Sequence, residues 1–270
     1  MSIILKTATF SLIVQVIIAC IGVYGLTFKL PSNMAILQQL LFMETIVQII
    51  ELVYYIWLIQ NFTSIHYDVT FTRYFDWVFS TPIMIVSTVL YMKYRTTAIS
   101  TDTQKESKPS NSFPTIPKLE TMATPTPVDH SPESGTNVTF WTLLFENATA
   151  IIWTLCFNWV MLLFGFLGER QIISRATAFI WGSLAFVASF YMILAYFVGN
   201  DPVNQVLFWV MFIIWGMYGV AFCFSYTTKN AIYNCLDIFS KNFYGLFLYY
   251  EVKKASLLTT ISPRIHWSPK

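Results

Sequence analysis

Charge is scarce in this chain, and the scarcity is the first constraint. Asp, Glu, Lys and Arg make up 11% of the 270 residues and leave a net charge of only +2, against about 25% charged residues in an ordinary soluble domain. So small a balance offers no footprint for nucleic acid, and the basic residues are scattered. Cysteine is scarce too. Cys20, Cys156, Cys223 and Cys235 all fall inside long apolar stretches, where a disulfide framework has no role, and show no CxxC spacing, so no metal is expected. The four thiols read as packing residues. No internal repeat is evident.

What is abundant is apolar surface: 56% of the residues are hydrophobic and 18% aromatic. A membrane span needs about 20 mainly apolar residues, and seven can be drawn, at 7–28, 34–60, 70–94, 140–167, 172–199, 203–228 and 230–254. The first is too long for a signal-peptide core, lacks a small-x-small cleavage site and carries Gln15. The chain therefore reads as an all-α, seven-transmembrane-helix bundle, a single multi-pass integral membrane domain over 1–270 whose first partner is the lipid bilayer. No enzymatic constellation is present.

Seven spans put the termini on opposite sides. One side holds Lys29, Lys93, Arg95, Lys105, Lys108, Lys118, Lys253, Lys254, Arg264 and Lys270, and the other Lys6, Arg170, Arg175 and Lys229. The positive-inside rule then sets the C-terminus in the cytoplasm and the N-terminus outside. Asn61-Phe62-Thr63, a glycosylation pattern, falls on the outer side. Residues 96–138 are rich in Ser, Thr, Pro, Lys and Glu and read as a flexible cytoplasmic loop between the third and fourth helices. Two roles stay open for it, simple disorder or partner binding; no obligate protein partner is evident.

Against this apolar background a few ionisable groups stand out. The last span reads YNCLDIFSKNFYGLFLYY, with Asp237 and Lys241 inside it, although a charge at the centre of a bilayer costs roughly 2.5–3.5 kcal/mol even on lenient scales. Residues four apart share a helix face, so these two are placed to meet. Two readings fit: a buried ion pair joining helices, or a desolvated lysine available as a Schiff-base nucleophile. In the third span, RYFDWVFSTP puts Arg73, Asp76 and Ser80 on one face at spacings of three and four, with Trp77 beside them and Pro82 a turn deeper.

These two stretches resemble the third- and seventh-helix signatures of the microbial rhodopsins, and WGMYG at 215–219 resembles that family's ring-contacting Trp-x-x-Tyr motif, with Gly219 where many members have proline. The resemblance covers nearly the whole chain outside 96–138. It implies covalently bound all-trans-retinal, with Lys241 forming the imine, Asp76 and Asp237 as its counterions, and Arg73 and Ser80 associated with them. It also implies a retinal pocket of Trp77, Thr81, Trp215, Tyr218, Met161 and Trp181. Members are often oligomers, so a homo-oligomer is compatible.

Departures from the family pattern bear on activity. Outward proton pumps usually carry a carboxylate eleven residues after the counterion; here that position is Ser87, which cannot hold a transferable proton near neutral pH as a carboxylic acid does. Eight residues before Asp237, where pumps often have an acidic release group, stands Lys229.

The second span offers something else. METIVQIIELVYY lines up Glu44, Gln48, Glu51 and Tyr55 on one face. Either the glutamates are protonated and hydrogen-bonded to neighbouring helices, or they line a water-filled path for permeant cations, joined by Ser11, Gln15, Asn234 and Asn242. Acidic second-helix residues resemble those of light-gated cation channels, most closely the viral channelrhodopsins of giant algal viruses. The expectation is a light-gated cation channel, with Glu51 and Arg73 at constrictions and Glu44 nearer the cytoplasm. The alternatives are a light-driven outward proton pump or a sensory rhodopsin signalling through a partner.

Overall fold

A computed structural model describes residues 2–64, 68–106 and 138–265, without the side chains of 99–106 and 259–265. Among these residues there are helices and no strands. In chain order they are α1 (Ile3–Gly25), α2 (Ala35–Asn61), α3 (Arg73–Glu106), α4 (Phe140–Glu146), α5 (Ala148–Glu169), α6 (Arg175–Ile193), α7 (Pro202–Phe222), α8 (Tyr226–Asp237) and α9 (Phe243–Ile265). Among the described residues six helices are long and apolar enough to cross a membrane. The seventh crossing is α8 and α9 joined through a π-helical turn, Ile238–Asn242, and the whole is a seven-helix integral membrane bundle.

Polar residues place the ends of the helices. Ser2, Ser174 and Asp201 accept hydrogen bonds from the first turns of α1, α6 and α7, satisfying donors that helix geometry leaves open. Between α6 and α7 the chain passes through a second π-helical turn, Leu194–Val198, and then Gly199 at φ +57°, a left-handed conformation that favours glycine. The fourth span is broken at Asn147, which lies between α4 and α5 and whose Nδ2 donates to the Leu143 carbonyl at 2.8 Å. The third helix outruns its predicted span and continues to Glu106. Of the expected loop at 96–138, residues 107–137 lie outside the described residues.

α3 is the central helix. Its apolar window is 72% buried, against 22–44% for the other five. Pro82 interrupts it and cannot donate to the Val78 carbonyl; Trp159 Nε1 of α5 donates to that carbonyl at 3.3 Å instead. In a bilayer a freed carbonyl needs such a partner. At the other end of α3, Arg95 Nε lies 2.9 Å from Asp201 Oδ1, and the buried amide of Asn204 donates to Met92 O at 3.1 Å, so α7 is tied to α3 at its first turn.

The bundle's outside is apolar, with Phe10, Ile17, Phe79, Trp153, Ile180 and Val206 all exposed, the surface lipid covers. The expectation that the cysteines pack the core is corrected: all four are free, Cys20, Cys223 and Cys235 are exposed and Cys156 is half-buried. At a lipid-facing position a small apolar thiol gains as much from hydrocarbon as from protein.

Candidate functional site

Lys241 lies in the π-helical turn of the seventh helix, 2% exposed, and its Nζ donates to Asp76 Oδ2 of α3 at 2.7 Å. A charge-assisted bond of that length between two buried groups is a strong one. Glu51 of α2 comes next, its Oε1 3.5 Å from the same nitrogen. Among the described residues these two carboxyls are the ion-pair partners of Lys241.

Asp237 is placed differently from the expectation of an i, i+4 pair with Lys241. Its Oδ2 accepts from Tyr55 Oη at 2.7 Å and faces Arg73 Nη1 at 3.2 Å, and its Oδ1 accepts from Tyr218 Oη at 2.7 Å. Those three donors hold its carboxylate, and among the described residues it makes no ion pair with Lys241. The Lys241 carbonyl accepts from an outside donor, Gln48 Nε2 of α2, at 3.2 Å.

Arg73 is fully buried. Besides Asp237 it donates from Nε to Asn230 Oδ1 at 3.3 Å and from Nη2 to Asn234 Oδ1, and it lies over the rings of Tyr54, Tyr55 and Tyr233 at 5.6, 5.9 and 5.7 Å. Asn234 in turn donates to Ile4 O at 3.1 Å and Thr7 Oγ1 at 2.8 Å, which ties α1 into the centre. Ser80 is fully buried one turn beyond Asp76.

Beside the lysine lies a cavity of about 220 Å³. Lys241, Trp77, Thr81, Met161, Trp215 and Tyr218 all line it. Trp181 does not: it is 53% exposed and stacks on Phe164 at 6.2 Å, facing away from the bundle. Its neighbours on α6, Phe179, Gly182, Ser183 and Phe186, form that wall. Tryptophan is as stable against lipid as against a ligand, so its presence in the span did not fix its direction. Thr81 is held by Asn158 of α5, whose Nδ2 donates to its Oγ1 at 2.9 Å, a partner the sequence reading missed.

The cavity suits a long apolar molecule ending at the lysine. Its walls are mostly aromatic and aliphatic, the amine lies at one side, and at Gly219 an added Cβ would meet nothing within 4 Å. Such a slot, apolar with a few convergent polar groups, is what ligand sites generally look like.

The polar residues expected along the ion path are all buried: Ser11, Gln15, Glu44, Gln48, Glu51, Asn234 and Asn242. They fall on α1, α2 and the seventh helix, which pack together. Asn234 is fully engaged, as above. Both polar atoms of Gln15 and Asn242, both oxygens of Glu51, Glu44 Oε2 and Gln48 Oε1 have no hydrogen-bond partner among the described residues. Glu44's other oxygen accepts from Ser87 Oγ at 2.5 Å, so a carboxyl stands next to the serine after all, supplied by the neighbouring helix. Lys229 is also buried, with Glu169 Oε2 at 2.5 Å and Asp68 Oδ2 at 4.0 Å.

Comparison with known proteins bears on the fold and the family. A search of curated protein sequences found no match. Among solved structures, the chain is similar to a viral rhodopsin, OLPVRII, with a TM-score of 0.70 and 22% identity over 93% of this chain and 98% of the other. It is similar to the blue light-absorbing proteorhodopsin from Med12, with a TM-score of 0.63 and 14% identity over 93% and 97% of the two chains. It is also similar to the proton pumping rhodopsin AR2 from the marine alga Acetabularia acetabulum, with a TM-score of 0.61 and 14% identity over 97% of each chain. At these identities the structures establish the fold alone. The family model described as bacteriorhodopsin-like protein matches residues 6–105 and 137–255, and the chain, with its buried lysine and lysine-bound carboxyl, belongs to that family of microbial rhodopsins.

Proposed function

We propose that this protein is a light-gated cation channel with all-trans-retinal bound covalently at Lys241. When bound, the retinal supplies a light-driven change of shape beside the lysine. Asp76 holds the proton at the Lys241 nitrogen, through the 2.7 Å contact. Trp77 and Trp215 confine the slot, and Thr81, held by Asn158, closes one side of it. Arg73 and Asp237 keep the N-terminal end of α3 locked to the seventh helix. The N-terminus faces outward and the C-terminus inward in this reading.

The observation that carries the channel reading is the set of buried, unpartnered polar atoms on Gln15, Glu44, Gln48, Glu51 and Asn242. An unsatisfied buried polar group costs about 1–3 kcal/mol. Several of them together on three packed helices favour a path whose partners are water and cations, and the glutamates among them repel anions.

One observation favours a second reading, an outward proton pump: the Glu44 carboxyl hydrogen-bonded to Ser87 stands where a proton donor would be useful. Whole-cell recording under illumination separates the two. A channel gives current that reverses sign with voltage and follows the ionic gradients, and Glu44→Gln and Glu51→Gln alter it. A pump gives outward current at all voltages. Absence of current from a coloured protein would point to sensory signalling.

A further inference from the structure

Beyond Glu44 and Ser87, the inner end of the bundle carries polar side chains that the ion path described above does not use. On α3, Ser87, Tyr91 and Arg95 follow one another at spacings of four and so share a face. On the seventh helix Tyr244 and Glu251, seven apart, share another. The two faces meet, because the Phe247 ring lies 5.1 Å from that of Tyr91 and 6.2 Å from that of Tyr244. Tyr91 and Tyr244 are buried in the same apolar cluster as Leu90, Leu248 and Val252. Neither hydroxyl has a hydrogen-bond partner among the described residues, and neither has Glu44 Oε2. Phenylalanine would fill both places without leaving a buried polar atom unsatisfied. Glu251 is half-buried, at the end of the line.

We infer that Tyr244, Tyr91 and Glu251 are the route by which the Glu44 carboxyl exchanges its proton with the cytoplasm, with Glu251 at the mouth. The inference rests on the reading that Glu44 lies on the ion path with the C-terminus inward, and it holds for a channel or a pump alike. A hydroxyl is both donor and acceptor, so each tyrosine oxygen accepts a proton as it gives up its own, and water bridging the unpartnered groups carries it across the gaps. One proton enters from bulk water at Glu251, one arrives at Glu44, and neither tyrosine changes charge. The charged and titratable groups around Glu44 are Lys241 and Tyr244 from the seventh helix and, past Ser87 and Thr88, Tyr91 from α3; α1 faces it with Ile18, Ile21 and Gly22. At the mouth the charged neighbours of Tyr91 are Glu251 and Arg95, and Arg95 is held by Asp201 at the start of α7.

The test is a stopped-flow step in pH on the purified full-length protein, read in the infrared at the carboxylic C=O band that Glu44→Gln removes. Tyr91→Phe and Tyr244→Phe each keep the ring and its packing and lose only the hydroxyl. Each is expected to slow the response of the Glu44 band at least about tenfold, with the melting temperature unchanged. Glu251→Gln slows it less, by about two- to fivefold, and Glu251→Asp restores the wild-type rate. The half-exposed Glu251 keeps the test available if a tyrosine variant does not fold. A hydroxyl with only a packing role leaves the rate unmoved. Wild-type rates in the tyrosine variants or in Glu251→Gln therefore overturn the inference, as does a Glu44 band that never responds to pH. Photocurrents untouched by Glu44→Gln instead overturn the reading on which it rests.

Discussion

Arg73 and Asp237 face each other at 3.2 Å with both side chains wholly excluded from solvent. The pair joins α3 to the seventh helix, and three tyrosine rings surround the guanidinium. Breaking a buried pair by removing one partner typically costs about 3–5 kcal/mol, because the other charge is left uncompensated. Arg73→Gln should therefore lower the thermal stability of the detergent-solubilised protein markedly. Adding Asp237→Asn to it should recover part of the loss, a coupling that a double-mutant cycle measures.

Lys229 and Glu169 make a second such pair at 2.5 Å, each side chain 4% exposed. Lys229→Met alone should destabilise by about 3 kcal/mol or more, whereas Lys229→Met with Glu169→Gln should fall much closer to wild type. Equal losses in the single and double variants would contradict this account of the pair.

At Gly219 a side chain would grow into open cavity. Gly219→Ala should leave the protein able to bind retinal with a changed absorption maximum. Gly219→Phe, which puts a ring at the lining of the cavity, should cut retinal uptake by more than tenfold. The measurement is a titration of the purified apoprotein with retinal, followed by absorbance.

Asp201 lies between two spans. Burial pushes its carboxyl up, but hydrogen bonds from Arg95 and from the backbone N–H groups of Asn204 and Val203 outweigh that and hold it below its ordinary value. A lowered folded value means stability that is present above the unfolded value of about 3.9 and lost as the pH falls through the folded one. Asp201→Asn keeps a helix-capping side chain and loses the partly exposed ion pair, so it should cost about 0.5–1 kcal/mol at neutral pH. The stabilities of the two proteins should draw together as the pH falls from about 4 through the lower folded value of Asp201.

Much of this arrangement could be read from residues alone, and the limits have physical causes. The number of crossings follows from apolar length. The lysine, its α3 carboxyl and the cavity's tryptophans follow from side chains that are costly or bulky enough to announce themselves, as Asp76, Lys241, Trp77 and Trp215 do. Direction around a helix is harder. In water an apolar face marks the inside, but lipid accepts apolar side chains as readily as a core does, so Trp181 and the cysteines carried no sign of which way they point.

Asp237 illustrates a different limit. A spacing of four gives two side chains one face without fixing their partners, and nothing in DIFSK names the arginine and tyrosines that hold Asp237. The partners of Glu51 and Glu44 depend on how α2 is rotated against α3, which a single helix's pattern does not contain.

The carbonyl of Lys241 accepts from the side-chain amide of Gln48. Gln48 lies one helical turn from Glu44 on one side and from Glu51 on the other. Any twist delivered to the lysine's peptide is thereby passed as a pull on α2, midway between the two acids. A single amide is thus the linkage between the helix of the buried lysine and the helix that carries both acids.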